Sequence, residues 1–460
     1  MKSKSLFALL LVIAGSGIAS ERPLENLTMD VRYLVMKTDL ADEIMGADRK
    51  NATSWALHQK TLERIRALER EKKIFVVGNS KLTMAEGECS KILTSREMIY
   101  PSSFTDPCFE EIRDGTNVTA RITKPTITMP TASAFSTREV GTILDVKPIL
   151  SKDRSVITVT LSPEIVDLVG KTRACLQISG REPFFLEQPV FSKRTLTTSI
   201  VLGNGNTVIL GRMPPPEAYK PAEKGASYTM LLTLSASGMD AEHAEPPLAR
   251  PPSIFVETQL IAMSRANASD ILNQEIGSLK DVNLTPDKSE KIRAAIRAGH
   301  IQEIDHLGIC TCSGESARLL ATREMIYPSA YTDPQVCRGT ETDPERTDKT
   351  TTIGPSPAAF STREVGMILD VKPTVNSEST ISTTLSVEHV EELTQESADD
   401  FMSVDRHPVF SKQQIVTSLV SQSGETKIMA GGDAPEFVRK AHPREDWLMF
   451  VLFRATAYAP

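Results

Sequence analysis

The stretch GHIQEIDHLGICTC, residues 299–312, gathers the side chains best suited to holding a metal. His300, His306, Cys310 and Cys312 are all of zinc-ligand type. Cys310 and Cys312, two apart on a strand, would face the same way. The spacing matches no standard zinc site, and the corresponding stretch of the first half, KKIFVVGNSKLT, carries none of these ligands. A strand with two ordinary thiols is the preferred reading, so no metal is expected. GNGN at 203–206 resembles a phosphate loop only in its glycines. It lacks a following helix and a Lys-Ser/Thr pair, and a hairpin turn between two strands is expected instead. Glu164 and Asp167 make a carboxylate pair of the ordinary surface kind. The seven histidines are scattered, and neither Gly-x-Ser-x-Gly nor His-Glu-x-x-His occurs. The sequence thus predicts no enzyme, no catalytic residue and no cofactor. Asn-x-Ser/Thr at Asn26, Asn51, Asn117, Asn267 and Asn283 would matter only in a eukaryotic secretory route.

Such residues need elements to position them. The 460-residue chain is long enough for two or three domains. Its formal net charge of -7 gives no electrostatic footprint for nucleic acid or anionic lipid. The start, MKSKSLFALLLVIAGSGIAS, has Lys2 and Lys4, an apolar run from Leu6 to Ala14, and small residues at Gly17 and Ala19. This is the pattern of a secretory signal peptide, residues 1–19, and an exported protein is expected. No other stretch approaches the ~20 apolar residues of a membrane helix. The six cysteines, Cys89, Cys108, Cys175, Cys310, Cys312 and Cys337, permit disulfides in an exported chain, but their pairing stays open.

The chain repeats itself. STREVGTILDVKP at 136–148 and STREVGMILDVKP at 361–373 differ only at Thr142 against Met367. REMIYPSSFTDP at 96–107 recurs as REMIYPSAYTDP at 323–334, and PVFSK at 189–193 recurs at 408–412. MDVRYLVM at 29–36 answers IFVETQLIAM at 254–263. The order is the same in both halves, and each half is too long for a solenoid repeat. The reading is therefore two tandem domains, 20–238 and 254–460, joined by a Pro-rich linker at 239–253.

Periodicity within each half is mostly that of strands. Val140, Leu144 and Val146 are expected on one face, with Glu139, Asp145 and Lys147 on the other. Ile157, Val159 and Leu161 alternate with Thr158 and Thr160, and Ile381, Thr383 and Leu385 repeat the pattern. TLTTSIVLGNGNTVILG and QIVTSLVSQSGETKIMAGG each read as a hairpin. SYTMLLTLSA and DWLMFVLFRATAY each close a half on an apolar strand. Helix is the minority. The segment 53–73, with Thr53 as cap, and TPDKSEKIRAAIRAG, with Gly299 as stop, are the best cases. The fold class expected is α+β, strand-dominated, with one or two helices near the start of each half.

In REVGTILDVKPILSKDRSVITVTLSPE the chain resembles the secretin family, the outer-membrane channels of type II and type III secretion and type IV pilus systems. The residues that carry the resemblance are Val140, Gly141, Leu144, Val146, Pro148, Asp153 and Glu164. In the second half they are Val365, Gly366, Leu369, Val371, Pro373 and Glu388, with Asn376 in the turn where Asp153 stands. Where the family has Gly-Gly-Leu, this chain has Gly211-Arg212-Met213 and Gly431-Gly432-Asp433. Neither the ring domains that precede the family's channel nor a C-terminal docking tail is expected.

The resemblance implies a component of a bacterial protein secretion system that forms or contributes to an oligomeric outer-membrane β channel. It implies a homo-oligomer, other secretion-system or pilus proteins as partners, and a place in the outer membrane or periplasm. The alternative is an exported, non-channel structural protein of the same fold in the periplasm. Two tandem domains would let one polypeptide fill two subunit places. The Arg138-Glu139 and Arg363-Glu364 pairs recur between halves and are candidates for ion pairs between subunits.

Overall fold

Ile157, Val159 and Leu161 are buried, and so are Ile381, Thr383 and Leu385, while Thr160 and Thr384 stay exposed. That period of two makes strands with one dry and one wet face. The structure, a computed structural model, describes residues 25–49, 56–110, 126–219, 226–238, 251–272, 282–337, 351–376, 380–393 and 408–458. The expected signal peptide and most of the expected linker lie outside them, as does Thr53.

The first half runs β1 (Asn26–Lys37), α1 (Thr38–Arg49), α2 (Gln59–Arg70), β2 (Ile74–Ala85), β3 (Ser90–Phe104), β4 (Cys108–Glu110), β5 (Thr126–Thr128), β6 (Ala132–Leu150), β7 (Val156–Leu176), β8 (Phe184–Gly203), β9 (Thr207–Met213) and β10 (Tyr228–Gly238). The second runs β11 (Ser253–Ser264), α3 (Arg265–Leu272), β12 (Val282–Leu284), α4 (Pro286–Arg297), β13 (Ile301–Cys312), β14 (Ala317–Tyr331), β15 (Gln335–Cys337), β16 (Thr351–Ile353), β17 (Pro357–Val375), β18 (Thr380–Leu393), β19 (Val409–Gln422), β20 (Thr426–Asp433), α5 (Glu436–Ala441) and β21 (Trp447–Tyr458). The strand-dominated α+β class stands.

The strands form two large antiparallel sheets. One is ordered β12-β20-β21-β11-β13-β9-β10-β1-β2; the other runs β3-β6-β7-β8-β14-β17-β18-β19 through its long ladders, with β3 also meeting β17 at Ser103 opposite Ala359. A shared core fills the space between them. Leu144, Val159, Leu196 and Leu319 enter from the second sheet; Val31, Leu234, Val256 and Phe453 enter from the first. Helices α3 and α4 cover the first sheet's other face through Leu272 and Ile292, against Ile261 and Phe450. Thr285 caps α4, its Oγ1 accepting from the Lys288 amide at 3.3 Å. Gly299, at φ 75°, follows the helix end as expected. α2 starts later than the sequence suggests, at Gln59, and α1 was not foreseen as a separate helix.

Two expected hairpins are corrected. β8 and β9 are consecutive but unpaired: β8 pairs with β7 and β14, and β9 with β10 and β13. β19 and β20 separate in the same way. GNGN is thus a corner that passes the chain from one sheet to the other. Asn204 fixes that corner, its Nδ2 donating to the Arg154 carbonyl at 3.1 Å and its Oδ1 accepting from the Gly238 amide at 2.7 Å. A Gly/Asn turn reverses the chain in either case, and the local signal does not say whether the strands afterwards share a sheet.

Apart from the short β12, the halves match strand for strand among the described residues, irregularities included. Val77 is the bulged residue of β2 against β1, and Ile304 that of β13 against β11. Leu210 is bulged in β9 against β10, and Met429 in β20 against β21.

Candidate functional site

Gly141 and Gly366 hold φ at 142° and 131°. A Cβ on Gly141 would stand 2.2 Å from the Thr94 carbonyl oxygen, and one on Gly366 2.4 Å from that of Ala321. Only glycine fits either place. The consequence is a change of face. Leu144 and Val146 point into the core between the sheets, whereas Val140 joins Val166, Phe191 and Ile326 in a separate cluster. The expected single face for Val140, Leu144 and Val146 is therefore corrected. Strand alternation restarts at the glycine and carries Arg138 to the outward face beside Glu164.

The other family-motif residues are structural in their settings. Leu144, Val146, Leu369 and Val371 are core. The carbonyl of Pro148 accepts from the Gly87 amide, and that of Pro373 from the Gly314 amide, both at 2.7 Å. A proline serves there because an antiparallel residue's N–H and C=O point the same way, so the missing donor faces the corner and no ladder bond is lost. Asp153 ties the β6–β7 turn: Ser155 Oγ donates to it at 2.8 Å, as does Ser151 Oγ at 2.5 Å. These bonds hold its carboxyl below the ordinary range. Asn376 does a similar service, donating to Ser382 Oγ at 2.7 Å.

The charged residues converge where the halves meet. Strand β8, last of the first half's four in its sheet, pairs with β14, first of the second half's four, from Arg318 opposite Thr197 to Met325 opposite Val190. Across this joint Arg138 donates to both carboxylate oxygens of Glu324, at 2.8 and 2.9 Å, and to Glu164 at 3.1 Å. Thr195 Oγ1 donates to Glu164 at 3.0 Å. Lys193 donates to Glu364 at 2.9 Å and lies 3.5 Å from Glu324. Burial works against the Lys193 charge, but the bond to Glu364 and the charges of Glu364, Glu324 and Glu164 outweigh it and raise its pKa. Arg323 pairs with Glu217 across the same seam. Arg194, fully enclosed, donates to the carbonyls of Thr322, Lys193 and Pro214 at 3.0, 2.9 and 2.8 Å.

Arg138 and Glu364, two of the four candidates for pairing between subunits, thus bridge the two halves of one chain. Glu139 accepts from Ser95 Oγ, and Arg363 lies 3.9 Å from Glu388, which also takes Lys412 at 2.9 Å. Sequence reasoning missed Lys193, Glu324, Arg323 and Glu217. Glu324 and Lys193 sit in the repeated REMIYP and PVFSK blocks, which was the available signal.

The zinc candidates do not gather. His306 lies 3.2 Å from Glu303 and 3.8 Å from Glu257, while Cys310 and Cys312 are buried and free. Burial pushes the Cys312 thiol up to about 11 and raises Cys310 as well. Among the described residues no three His, Cys, Asp or Glu side chains are grouped to hold a metal ion. Cys89 and Cys108 are free too. No helix among the described residues is long and apolar enough to cross a membrane, which says nothing of a β-barrel.

Comparison with known proteins places two stretches of the chain, 67–213 and 295–433, on the model of the secretin family, described as bacterial type II and III secretion system proteins. No curated protein matches. Among solved structures the chain is similar to the type II secretin GspD of enteropathogenic Escherichia coli, at 10% identity and a TM-score of 0.20, over 51% of this chain and 78% of that one. It is similar to the competence pilus secretin PilQ of V. cholerae, at 9% identity and 0.20, over 49% and 67%. The Salmonella injectisome secretin InvG is a third, at 12% identity and 0.20, over 65% and 87%.

Proposed function

This chain belongs to the secretin family, and from that premise we propose that it builds the wall of an oligomeric β channel in a bacterial secretion or pilus system. Secretins are non-enzymatic secretion proteins, and the chain is one of them. In this reading each polypeptide occupies two adjacent places in the wall. The units are those expected from sequence, 20–238 and 254–460, and the assembly lies at the outer membrane or in the periplasm after export.

The observation that carries the reading is the β8·β14 pairing. Unit-to-unit contact is made by strand edges in continuous register. The first sheet takes the same step, with β9 of the first unit against β13 of the second at Gly308 opposite Arg212 and Ile309 opposite Gly211. Repetition of one step in two layers generates an arc. An arc of strands with open ends is a liability until the ends are paired, and closure removes it.

One observation favours the periplasmic, non-channel alternative. The outward face of the β3-to-β19 sheet carries Ser/Thr pairs, Thr160 with Ser199, Ser162 with Thr197 and Thr384 with Ser418. This face suits water, not hydrocarbon. Detergent extraction of membranes followed by electron microscopy separates the two. Rings in the membrane extract support the channel wall; a monomer recovered entirely from the periplasm overturns it.

A further inference from the structure

We propose that the joint inside the chain is the template for the joint between chains, and that a second copy docks its β3 on the β19 edge in a defined register. The inference rests on the wall reading above and adds which edges meet and which side chains lock them. REMIYP matches β3 to β14, and PVFSK matches β8 to β19. The partner that β8 has in β14, β19 lacks, since it pairs only with β18 among the described residues. The partner that β14 has in β8, β3 lacks. Its outer edge meets another strand at one register pair, Ser103 with Ala359, near its tip.

Exposure marks the missing neighbour. Ile326 in β14 is 4% exposed, and its counterpart Ile99 in β3 is 63% exposed. Leu320 is 7% exposed and its counterpart Leu93 is 45%. Val409 and Val416 on β19 are exposed as well. Transferring the β8·β14 register residue by residue sets Ile92 of one copy opposite Ile415 of the next, where the chain itself has Leu319 opposite Leu196. Ile92 and Ile415 already lie against the core.

Charge gives a second, independent indication. Glu97 and Glu139 are direct cross-strand neighbours on β3 and β6, and Glu324 and Glu364 are the same pair on β14 and β17. Like charges so placed repel. Inside the chain Arg138 and Lys193 neutralise the second pair, whereas the first has no cation among the described residues. Arg96, counterpart of Arg323, feels the charge of Asp167 but has no ion pair within 4 Å among the described residues. At the opposite edge stand the counterparts of the missing partners: Arg363 for Arg138 and Lys412 for Lys193, both beside Glu388, and Glu436, paired with Lys440 at 2.7 Å, for Glu217. The docked copy brings Glu97 to Arg363, Glu139 to Lys412, and Arg96 to Glu436. In the first sheet the same step brings β2 to the part of β20 beyond β12, which covers only Thr426–Ile428.

The test uses the full chain, with Cys89→Ser to remove an exposed thiol near the edge. Lys91→Cys together with Val416→Cys should give a ladder of covalently linked chains on mild oxidation, because their counterparts Arg318 and Thr197 are opposed in β14·β8. Either single variant, and Lys91→Cys with Val420→Cys, should give none. Arg96→Glu should lower multimer yield at least about tenfold, and adding Glu436→Arg should restore it. Recovery of multimers by the added Glu436→Arg separates lost docking from lost folding, since a change at the far edge would not repair a misfolded monomer. Wild-type multimers without the Lys91–Val416 link overturn this joint and leave the wall reading intact. A wild-type chain that stays monomeric at all concentrations overturns both.

Discussion

Arg138 and Glu324 belong to different repeats of the chain and are joined by two parallel hydrogen bonds of 2.8 and 2.9 Å. A forked pair of this kind fixes orientation as well as distance. Glu324 stands directly opposite Glu364, so the guanidinium also relieves a repulsion built into the β14·β17 ladder.

Replacing Arg138 by Met should therefore cost more than one surface ion pair. The pair is partly buried, so a loss of about 2 kcal/mol is expected, below the range for fully buried pairs. Glu324→Gln added to Arg138→Met should recover part of it, as a denaturant double-mutant cycle would show. A cycle with no coupling would mean that the fork contributes nothing.

Gly141→Ala and Gly366→Ala should each destabilise by about 2–4 kcal/mol, since each combines positive φ with backbone atoms well inside contact distance. Gly170→Ala is the control, with nothing within 4 Å of the added Cβ. Thermal unfolding of the three variants checks this. Equal midpoints would remove the reason given for the change of face at the glycines.

His389 on β18 lies between Met367 and Gln413, and burial lowers its pKa from 6.5 to about 4. Between those values the unfolded chain binds a proton that the folded chain refuses. Stability is thus full above pH 6.5, falls as pH drops toward 4, and levels off below. The loss is at most about 3 kcal/mol. The first repeat has Ile165 at this position. His389→Ile should shrink the difference in unfolding free energy between pH 7 and pH 4.5, and an unchanged difference would show that other groups govern it.

Cys310 and Cys312 should resist alkylation at pH 8 in the folded protein, because burial keeps both thiols protonated and out of reach. Cys89 and Cys108, being exposed, should react first. Peptide mapping after a short pulse of iodoacetamide reads this directly. Early labelling of Cys310 would contradict the buried setting of β13.

The strands and their repetition were legible because alternation and repeated words are local properties. Ile157, Val159 and Leu161 needed only their own spacing to reveal a buried face. The joint was not legible, because it depends on which edges meet. Nothing in REMIYP says that Glu324 will find Arg138 on a strand almost two hundred residues away, and Lys193 in PVFSK looks like any exposed lysine. The corner at Asn204 failed for a related reason: turn chemistry sets a reversal of direction but not the sheet that receives the next strand. Gly141 was visible as a motif, yet its effect on the side to which Arg138 points required its φ.

Electron cryo-microscopy of the detergent-extracted multimer tests the central claim most directly, because it resolves the order of strands around the wall. The expected map repeats every eight strands of the outward layer, with the β8·β14 seam inside each chain and a β19·β3 seam of the same register between chains. Alternating seams of unlike register, or copies that meet through any other edge, would contradict it.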